Sequence, residues 1–231
     1  GLANKSRQEG RNNMDHVGGA YAVAEVPGYE DKYYWGRRPN GYYIPRYENL
    51  KDSTAAYARG FGIQGRSYRV GWTGDRPGIG QALKLANRQP GPWRITATAF
   101  GEVLPNAENR VTLHPRKTDK WGLPIPVIDC RYGTNEQAMM ESASRDIAAM
   151  FEKALYKVIS SSEKDGLHLW QPGQGIHEMG TARMGNDPSI SVLNKWNQAH
   201  DVANLFITDG ACMTSSATQN PSLTYMALSA R

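Results

Sequence analysis

Cysteine is scarce in this 231-residue chain, and long apolar runs and internal repeats are missing. The two cysteines, Cys130 and Cys212, lie far apart, which excludes a disulfide framework and a Cys-x-x-Cys metal site and predicts two small buried apolar side chains. No apolar stretch approaches the roughly 18 residues of a membrane-spanning helix, so no span is predicted. No signal peptide is visible, and the compartment stays open between the cytoplasm and the periplasm of a bacterium.

Basic residues are in modest excess but are not clustered. Lys and Arg number 27 against 22 Asp and Glu, which gives a net charge of +5 and a pI of about 9.2. A nucleic-acid-binding protein concentrates positive charge on one stripe, whereas here it is spread from Arg37 to Lys117. With 39% hydrophobic and 21% charged residues, the sequence is typical of a globular protein that does not bind nucleic acid.

The apolar patterns predict an α+β fold. Alternating or aromatic-rich runs predict strands at residues 16–26, 61–72, 95–103, 110–114 and 124–131. Helical apolar spacing from 136 to 160 predicts one long amphipathic helix, with Thr134 or Asn135 as its N-cap. Strands followed by a long helix indicate a mainly antiparallel sheet with flanking helices.

Aromatic residues crowd the segment 33–47. They are Tyr33, Tyr34, Trp35, Tyr42, Tyr43 and Tyr47. Asn40-Gly41 between the two runs predicts a β-hairpin. Tyr and Trp on one face and Arg on the other suit a sheet that stacks against a sugar, but the pattern is equally typical of packing in a half-buried sheet. Both interpretations stay open for this segment.

The composition changes near residue 170, and the last sixty residues are rich in Gly, Met, Asn and Ser. A short strand is predicted at 205–208, and Asp209-Gly210 at its end would bring a carboxylate within reach of ligand hydroxyls. Asn220-Pro221 predicts a helix start, with Asn as N-cap and Pro in the first position of a helix over 222–231. The positive end of that helix would stabilise negative charge, while an ordinary capped helix is the alternative.

His177 is the candidate general base, because an imidazole can accept the hydroxyl proton of an alcohol while hydride is lost. Spacing alone does not separate it from the other histidines. These are His16, His114, His168 and His200. No zinc site is predicted, because Thr181 stands where a His-Glu-x-x-His motif needs its second His.

Three C-terminal stretches together resemble the signature of the glucose–methanol–choline (GMC) oxidoreductase family. They read HEMGTARMG at 177–185, NLFITDGA at 204–211 and NPSLTYMAL at 220–228. Upstream, GRNNMDH at 10–16 and NRVTL at 109–113 resemble further elements of that family.

The resemblance implies an FAD-dependent enzyme that oxidises a CH–OH group by hydride transfer to flavin N5. His177 matches the family's catalytic base, and Asn220 matches its partner, which hydrogen-bonds the substrate oxygen. The bacterial gluconate, sorbitol and glucoside dehydrogenase branch is the most similar. It implies a sugar or polyol substrate, an external electron acceptor and a dehydrogenase rather than an oxidase.

The resemblance also implies cofactor contacts near the C-terminus. The residues that match them are Asp209, Gly210, Ala211, Pro221 and Thr224. The family's Gly-x-Gly-x-x-Gly loop, which cradles the FAD pyrophosphate, has no counterpart here. We therefore expect this chain to be a fragment of an enzyme of roughly 500–600 residues. By itself, the fragment is expected to lack tight FAD binding and activity.

The expected organisation has three parts. Residues 1–16 are a connection from a missing FAD domain, 17–170 are a substrate-binding domain, and 171–231 are a C-terminal piece of a Rossmann-like FAD domain that carries the catalytic residues. Without its sheet neighbours, the strand in this last piece is expected to be disordered or to pair with a second copy. The alternative function is a non-catalytic carbohydrate-binding or assembly fragment. The missing Gly-rich loop favours that alternative, and the His177–Asn220 pair disfavours it.

Overall fold

The structure, a computed structural model, describes residues 2–32, 41–70, 78–89 and 91–231. The predicted hairpin turn at Asn40 lies outside these ranges, as do Tyr33, Tyr34, Trp35 and Trp72. The strands are β1 (His16–Val17), β2 (Tyr21–Glu25), β3 (Tyr42–Ile44), β4 (Phe61–Arg69), β5 (Trp93–Glu102), β6 (Arg110–Thr118), β7 (Pro124–Asp129), β8 (Lys157–Ser161), β9 (Gln198–Ala199) and β10 (Val202–Phe206). The helices are α1 (Gly80–Arg88), α2 (Thr134–Lys153), α3 (Ser162–Asp165) and α4 (Ser222–Ala230), with a 3-10 turn at Gly210–Cys212.

Six strands form the main sheet, in the order β3-β4-β5-β2-β8, with β1 paired to the end of β5. All of these pairings are antiparallel. Strands β6 and β7 form a separate two-stranded ribbon, and β9 and β10 form another. The predicted α+β class, with an antiparallel sheet and flanking helices, is confirmed.

One face of the main sheet is covered by α2. Ala22 and Ala24 of β2 and Ala97 and Ala99 of β5 are buried against that helix in a single apolar core. The alanines, together with Gly101, let the helix approach closely, because a Cβ on Gly101 would lie 2.5 Å from Met139 Sδ. Side chains alternate along a strand, so the neighbouring residues point to the opposite face.

That opposite face is polar and aromatic. Tyr43 pairs with Gln64, and Gln64 pairs with Thr98. Along the strands these residues alternate with Ile63 and Ala99, which are buried on the helix side. We call this surface the polar face of the sheet. The C-terminal segment that precedes α4 lies against this face.

Helix α2 ends seven residues before the predicted end at 160. Leu155 adopts a left-handed conformation (φ 58°), and Tyr156 N donates to Phe151 O over 3.0 Å. This pattern terminates helices, usually with Gly at the left-handed position. Leu155 gave no such signal in the sequence, so the prediction that 157–160 is helical was wrong: these residues form β8, which pairs with β2.

The N-cap prediction for the same helix was also wrong. Gly133 precedes the first helical residue, Thr134, and its N–H donates to Glu136 Oε2 over 2.8 Å. Glu136 is buried and its other carboxylate oxygen accepts Leu104 N. The Glu136 side chain in the first turn therefore satisfies the N–H of the N-cap residue, as in one half of a capping box.

The Tyr42 phenol is expected to lower the free energy of unfolding at alkaline pH. Burial raises its pKa to about 12, and its hydroxyl donates to Thr96 O over 2.7 Å. The folded state therefore holds its proton more tightly than the unfolded state does, so its contribution is complete below about pH 10 and is lost as pH rises towards 12. We expect Tyr42→Phe to flatten the fall in unfolding free energy over this range. An unchanged alkaline limb in denaturant titrations of the variant would contradict this.

The last sixty residues build a second, smaller core together with the N-terminal segment. Gly10 N donates to Thr181 O over 2.7 Å, and Met14 and Met179 form a two-way backbone bridge. Within this segment β10 pairs with β9. The expectation that the strand is disordered or pairs with a second copy was therefore wrong, because a short partner strand lies just before it in the chain.

Helix α4 begins at Ser222, as predicted, but its N-cap lies one residue later than expected. Pro221 occupies the N-cap position with helical backbone angles, and its carbonyl accepts Thr224 N over 2.9 Å. Asn220 lies before the cap, so its prediction as N-cap was wrong by one position. Both cysteines are free; Cys212 is buried as predicted, whereas Cys130 is only half-buried. None of the helices in the described ranges has the length and apolarity of a membrane span.

Candidate active site around His177

His177 lies on a tight loop between the main sheet and the bridge to Met14. The residue before it, Ile176, has a left-handed backbone (φ 55°), which is unfavourable for a β-branched side chain. Such a conformation persists only where the surroundings hold it in place. The restraint here comes from a buried carboxylate.

Asp15 anchors the loop. Its carboxylate accepts backbone N–H groups from Gly173 (3.1 Å), Gly175 (3.0 Å) and His177 (3.0 Å). It also accepts the N–H of His16 over 2.7 Å, and only 1% of Asp15 is exposed. A Cβ on Gly175 would lie 2.4 Å from Asp15 Oδ1, so this close approach requires glycine. Successive N–H groups that converge on one anion form a rigid backbone nest, which sets the position of His177.

His16 packs directly against His177. The two ring centroids are 4.9 Å apart, with the planes at 48°. His16 is fully buried, and its Nε2 lies 3.3 Å from Ser216 O. Burial lowers the pKa of the His16 imidazole, and the nearby His177 lowers it further, against opposing effects from the Ser216 carbonyl and Asp15. His16 is therefore neutral at physiological pH.

A surface cavity of about 390 Å³ opens beside His177. Its walls include the predicted cofactor residues Asp209, Gly210 and Ala211. The Asp209 side chain accepts Ala211 N over 2.9 Å and so caps the 3-10 turn. Gly210 packs against the loop of His177, because a Cβ there would lie 2.5 Å from Glu178 O. The structure thus brings four of the seven predicted site residues to one cavity.

Asn220 lies elsewhere. It lines a neighbouring cavity of about 460 Å³ on the edge of the polar face, with Tyr42, Tyr43, Gln64 and Gln219. The structure does not bring His177 and Asn220 into one cavity. Pro221 and Thr224 line neither of the two: Pro221 is buried at the N-cap of α4, and Thr224 is exposed.

Tyr43 connects the sheet to the Asn220 segment. Its hydroxyl lies 3.3 Å from Thr218 Oγ1 and accepts Gln219 Nε2 over 2.9 Å. Thr218 is buried, whereas Gln219 and Asn220 are exposed. The tie holds the backbone before Asn220 against strand β3 and leaves the Asn220 amide beside the cavity.

Sequence reasoning missed the supporting residues of the site. Asp15 and His16 were seen only as part of a family-like stretch and were given no role. A buried Asp-His pair more than 150 residues from His177 carries no local signal, because only the tertiary fold brings the two segments together. The ties of Tyr43 to Thr218 and Gln219 were missed for the same reason.

Comparison with known proteins supports the resemblance to GMC oxidoreductases that the C-terminal stretches indicate. A 2-methyl-1,2-propanediol dehydrogenase from Mycolicibacterium austroafricanum is 31% identical over the whole of this chain and 42% of its own length. A fructose dehydrogenase large subunit from Gluconobacter japonicus is 30% identical over the whole of this chain and 41% of its own length. The chain therefore spans about two fifths of the length of these relatives.

A solved structure shows a similar fold. The crystal structure of pyridoxine 4-oxidase from Mesorbium loti superimposes with a TM-score of 0.50 and 17% sequence identity, over 96% of this chain and 42% of that one. The family model for GMC oxidoreductase matches residues 105–229, which is more than half of the chain. This match covers His177, the Asp209 turn and all but the last residue of α4, and the chain belongs to the GMC oxidoreductase family.

Proposed function

We propose that this chain is the substrate-side and catalytic part of an FAD-dependent enzyme that oxidises a CH–OH group of a sugar or polyol. The observation that carries the proposal is the loop of His177, which a buried carboxylate holds beside a cavity shared with Asp209, in a chain of the GMC oxidoreductase family. The names of two relatives, a diol dehydrogenase and a fructose dehydrogenase subunit, support a polyol or sugar as substrate.

The residues at the cavity fit one wall of a flavin site. Asp209 is exposed and offers a carboxylate for ligand hydroxyls, and Gly210 and Ala211 of the 3-10 turn line the same cavity. The described residues offer no Gly-rich phosphate loop, so the rest of the cofactor would be held by another part of the enzyme. Bound FAD would supply the hydride acceptor. We propose Asp209, Gly210 and Ala211 as its contacts here, with Pro221 and Thr224 at the start of α4.

His177 would take the hydroxyl proton of the substrate. An imidazole is suited to this, because it changes protonation near neutral pH, and the loop restraint fixes where its ring sits. Asn220 would hydrogen-bond the substrate oxygen from the edge of the polar face. Tyr43, which holds the neighbouring Gln219, would keep that amide in place. Substrate hydroxyls would meet the polar side chains of the sheet.

We propose that this chain contributes to two domains of the complete enzyme. Residues 17–170 would form the substrate domain, since they contain the main sheet and its helix. Residues 171–231 and 1–16 would join the FAD domain of the complete enzyme. Backbone hydrogen bonds join the two segments, as between Met14 and Met179, and support grouping them.

The test is made on the full-length protein. We expect flavin absorption near 450 nm that stays with the protein through gel filtration, and bleaching of that absorption under anaerobic conditions by sugars or polyols. A chemically matched sugar lacking the reactive hydroxyl serves as control. A colourless protein that still binds sugars would support the non-catalytic alternative and would contradict our proposal.

The dehydrogenase assignment needs its own measurement. With a bleaching substrate in hand, turnover is compared with dioxygen and with an artificial electron acceptor. We expect much faster turnover with the artificial acceptor. Equal or faster turnover with dioxygen, with hydrogen peroxide formed, would assign an oxidase instead.

A further inference from the structure

Two ring nitrogens at the centre of the site have no hydrogen-bond partner. Among the described residues, the Nδ1 atoms of both His16 and His177 are buried and unpaired. A buried polar atom without a partner costs free energy, so native structures rarely leave one. Here the two orphans belong to neighbouring rings whose centroids are 4.9 Å apart, short enough for ring edges to touch.

The tautomer of His16 follows from its other contact. Nε2 lies 3.3 Å from Ser216 O, and a carbonyl oxygen can only accept, so Nε2 must carry the hydrogen. Ser216 is itself held in place, because Val103 N donates to its hydroxyl over 3.1 Å and the residue is 1% exposed. In a neutral ring with a protonated Nε2, Nδ1 bears the lone pair. His16 thus carries a buried acceptor on the ring that packs against His177.

Resting on the proposed function, we propose that His16 is a positioning residue that fixes the tautomer of His177: the Nδ1–H of His177 donates to the bare Nδ1 of His16. Neither atom has a partner in the structure, so this hydrogen bond would form on a small adjustment of the two rings, and it would then satisfy both orphans. It leaves the lone pair of His177 on Nε2, the nitrogen that can then accept a substrate proton.

The surroundings keep the acceptor neutral. The charged or titratable groups that act on His16 are Asp15 and His177, and the Asp15 carboxylate is occupied by four backbone N–H groups. From β5, the Phe100 ring meets the His16 ring edge-on, with centroids 6.2 Å apart. Tyr132 donates its hydroxyl to the backbone carbonyl of His16, not to the ring. Among the described residues, His177 is the titratable imidazole that contacts this buried ring.

The arrangement has the logic of an orienting partner in an acid–base catalyst, with a neutral imidazole in place of a carboxylate. A carboxylate would raise the basicity of His177 strongly, whereas a neutral acceptor orients the ring without adding charge. His177 can therefore be held in one tautomer with no added charge beside it.

Two substitutions of His16 separate the two contacts of its ring. His16→Asn keeps an acceptor oxygen near the position of Nδ1 but cannot reach Ser216. His16→Gln places its amide near the position of Nε2, so it keeps a donor for Ser216 but loses the acceptor facing His177. A purely structural role predicts that Gln is tolerated better, whereas tautomer control predicts that Asn is tolerated better.

The primary measurement needs no activity. Full-length protein is labelled with 15N-histidine, and the ring nitrogens of His177 are assigned by their loss in His177→Gln. We expect a protonated Nδ1 and a bare Nε2 on His177 in the wild type and in His16→Asn, and a mixture of tautomers in His16→Gln. A protonated Nε2 in the wild type, or the same tautomer in all three proteins, would overturn the proposal even if one variant failed to fold.

A second measurement follows flavin reduction in the loaded enzyme. His16→Gln is expected to slow it by roughly 10–100-fold, the range for losing an orienting partner, with a smaller effect of His16→Asn. The reverse order of the two variants would overturn the proposal. If the tautomers behave as expected but no sugar or polyol is oxidised, the proposed function fails and the role of His16 stands.

Discussion

Replacing His177 with Ala in the full-length, FAD-loaded enzyme is expected to lower turnover of its sugar or polyol by roughly 10²–10⁴-fold, the usual contribution of a general base. The loss would fall on flavin reduction, because the alcohol could no longer pass its proton to a base held by the Asp15 nest. Anaerobic stopped-flow measurement of flavin bleaching isolates this step from reoxidation. Flavin content, read from the absorption near 450 nm, should stay unchanged.

His168→Ala is the matched control for this prediction. His168 is exposed and lies outside the cavities of His177 and Asn220. We expect it to reduce flavin at the wild-type rate. Retention of wild-type reduction rates by His177→Ala would remove the proposed role of this residue, since a positioned base cannot be lost without a kinetic effect.

Asp15→Asn is expected to cost roughly 2–4 kcal/mol of unfolding free energy, because a buried, charge-assisted hydrogen-bond network is broken. The amide keeps one accepting oxygen, but its NH2 donor opposes two of the N–H groups, those of Gly173 and Gly175 where it takes the Oδ2 position. The loop would also lose the restraint on Ile176, whose left-handed backbone would relax. Flavin reduction should therefore slow together with the loss of stability.

Asp165→Asn is the control for this second prediction. Asp165 accepts three groups, Ser160 Oγ, Ser161 N and the Tyr21 hydroxyl, against the four that Asp15 accepts, but it is exposed. Solvent can replace those contacts, so the loss of stability should be much smaller. Equal effects of the two substitutions in urea titrations would show that burial of the Asp15 carboxylate does not matter, contrary to our account.

Local chemistry in the chain was enough for the fold class and for most strands. The alternation at 95–103 predicted β5 closely, because a strand with one buried face shows its period in the sequence. The end of α2 was missed because Leu155 adopts a conformation that glycine usually marks. In this case the helix is stopped by backbone hydrogen bonds and by the contact between the rings of Phe151 and Tyr156, 5.8 Å apart, which no local rule anticipates.

For the site, the sequence by itself determined the family and the identity of His177 as the residue to examine, because the C-terminal stretches are long and specific. Only the tertiary structure decided what holds and surrounds that residue. Asp15 and His16 reach it from 162 and 161 positions away along the chain, and the carboxylate, the nest of N–H groups and the second imidazole become one unit only after folding. The physical reason is that such a unit depends on distances through space between residues far apart in the chain. These distances leave no periodic or local pattern in the sequence.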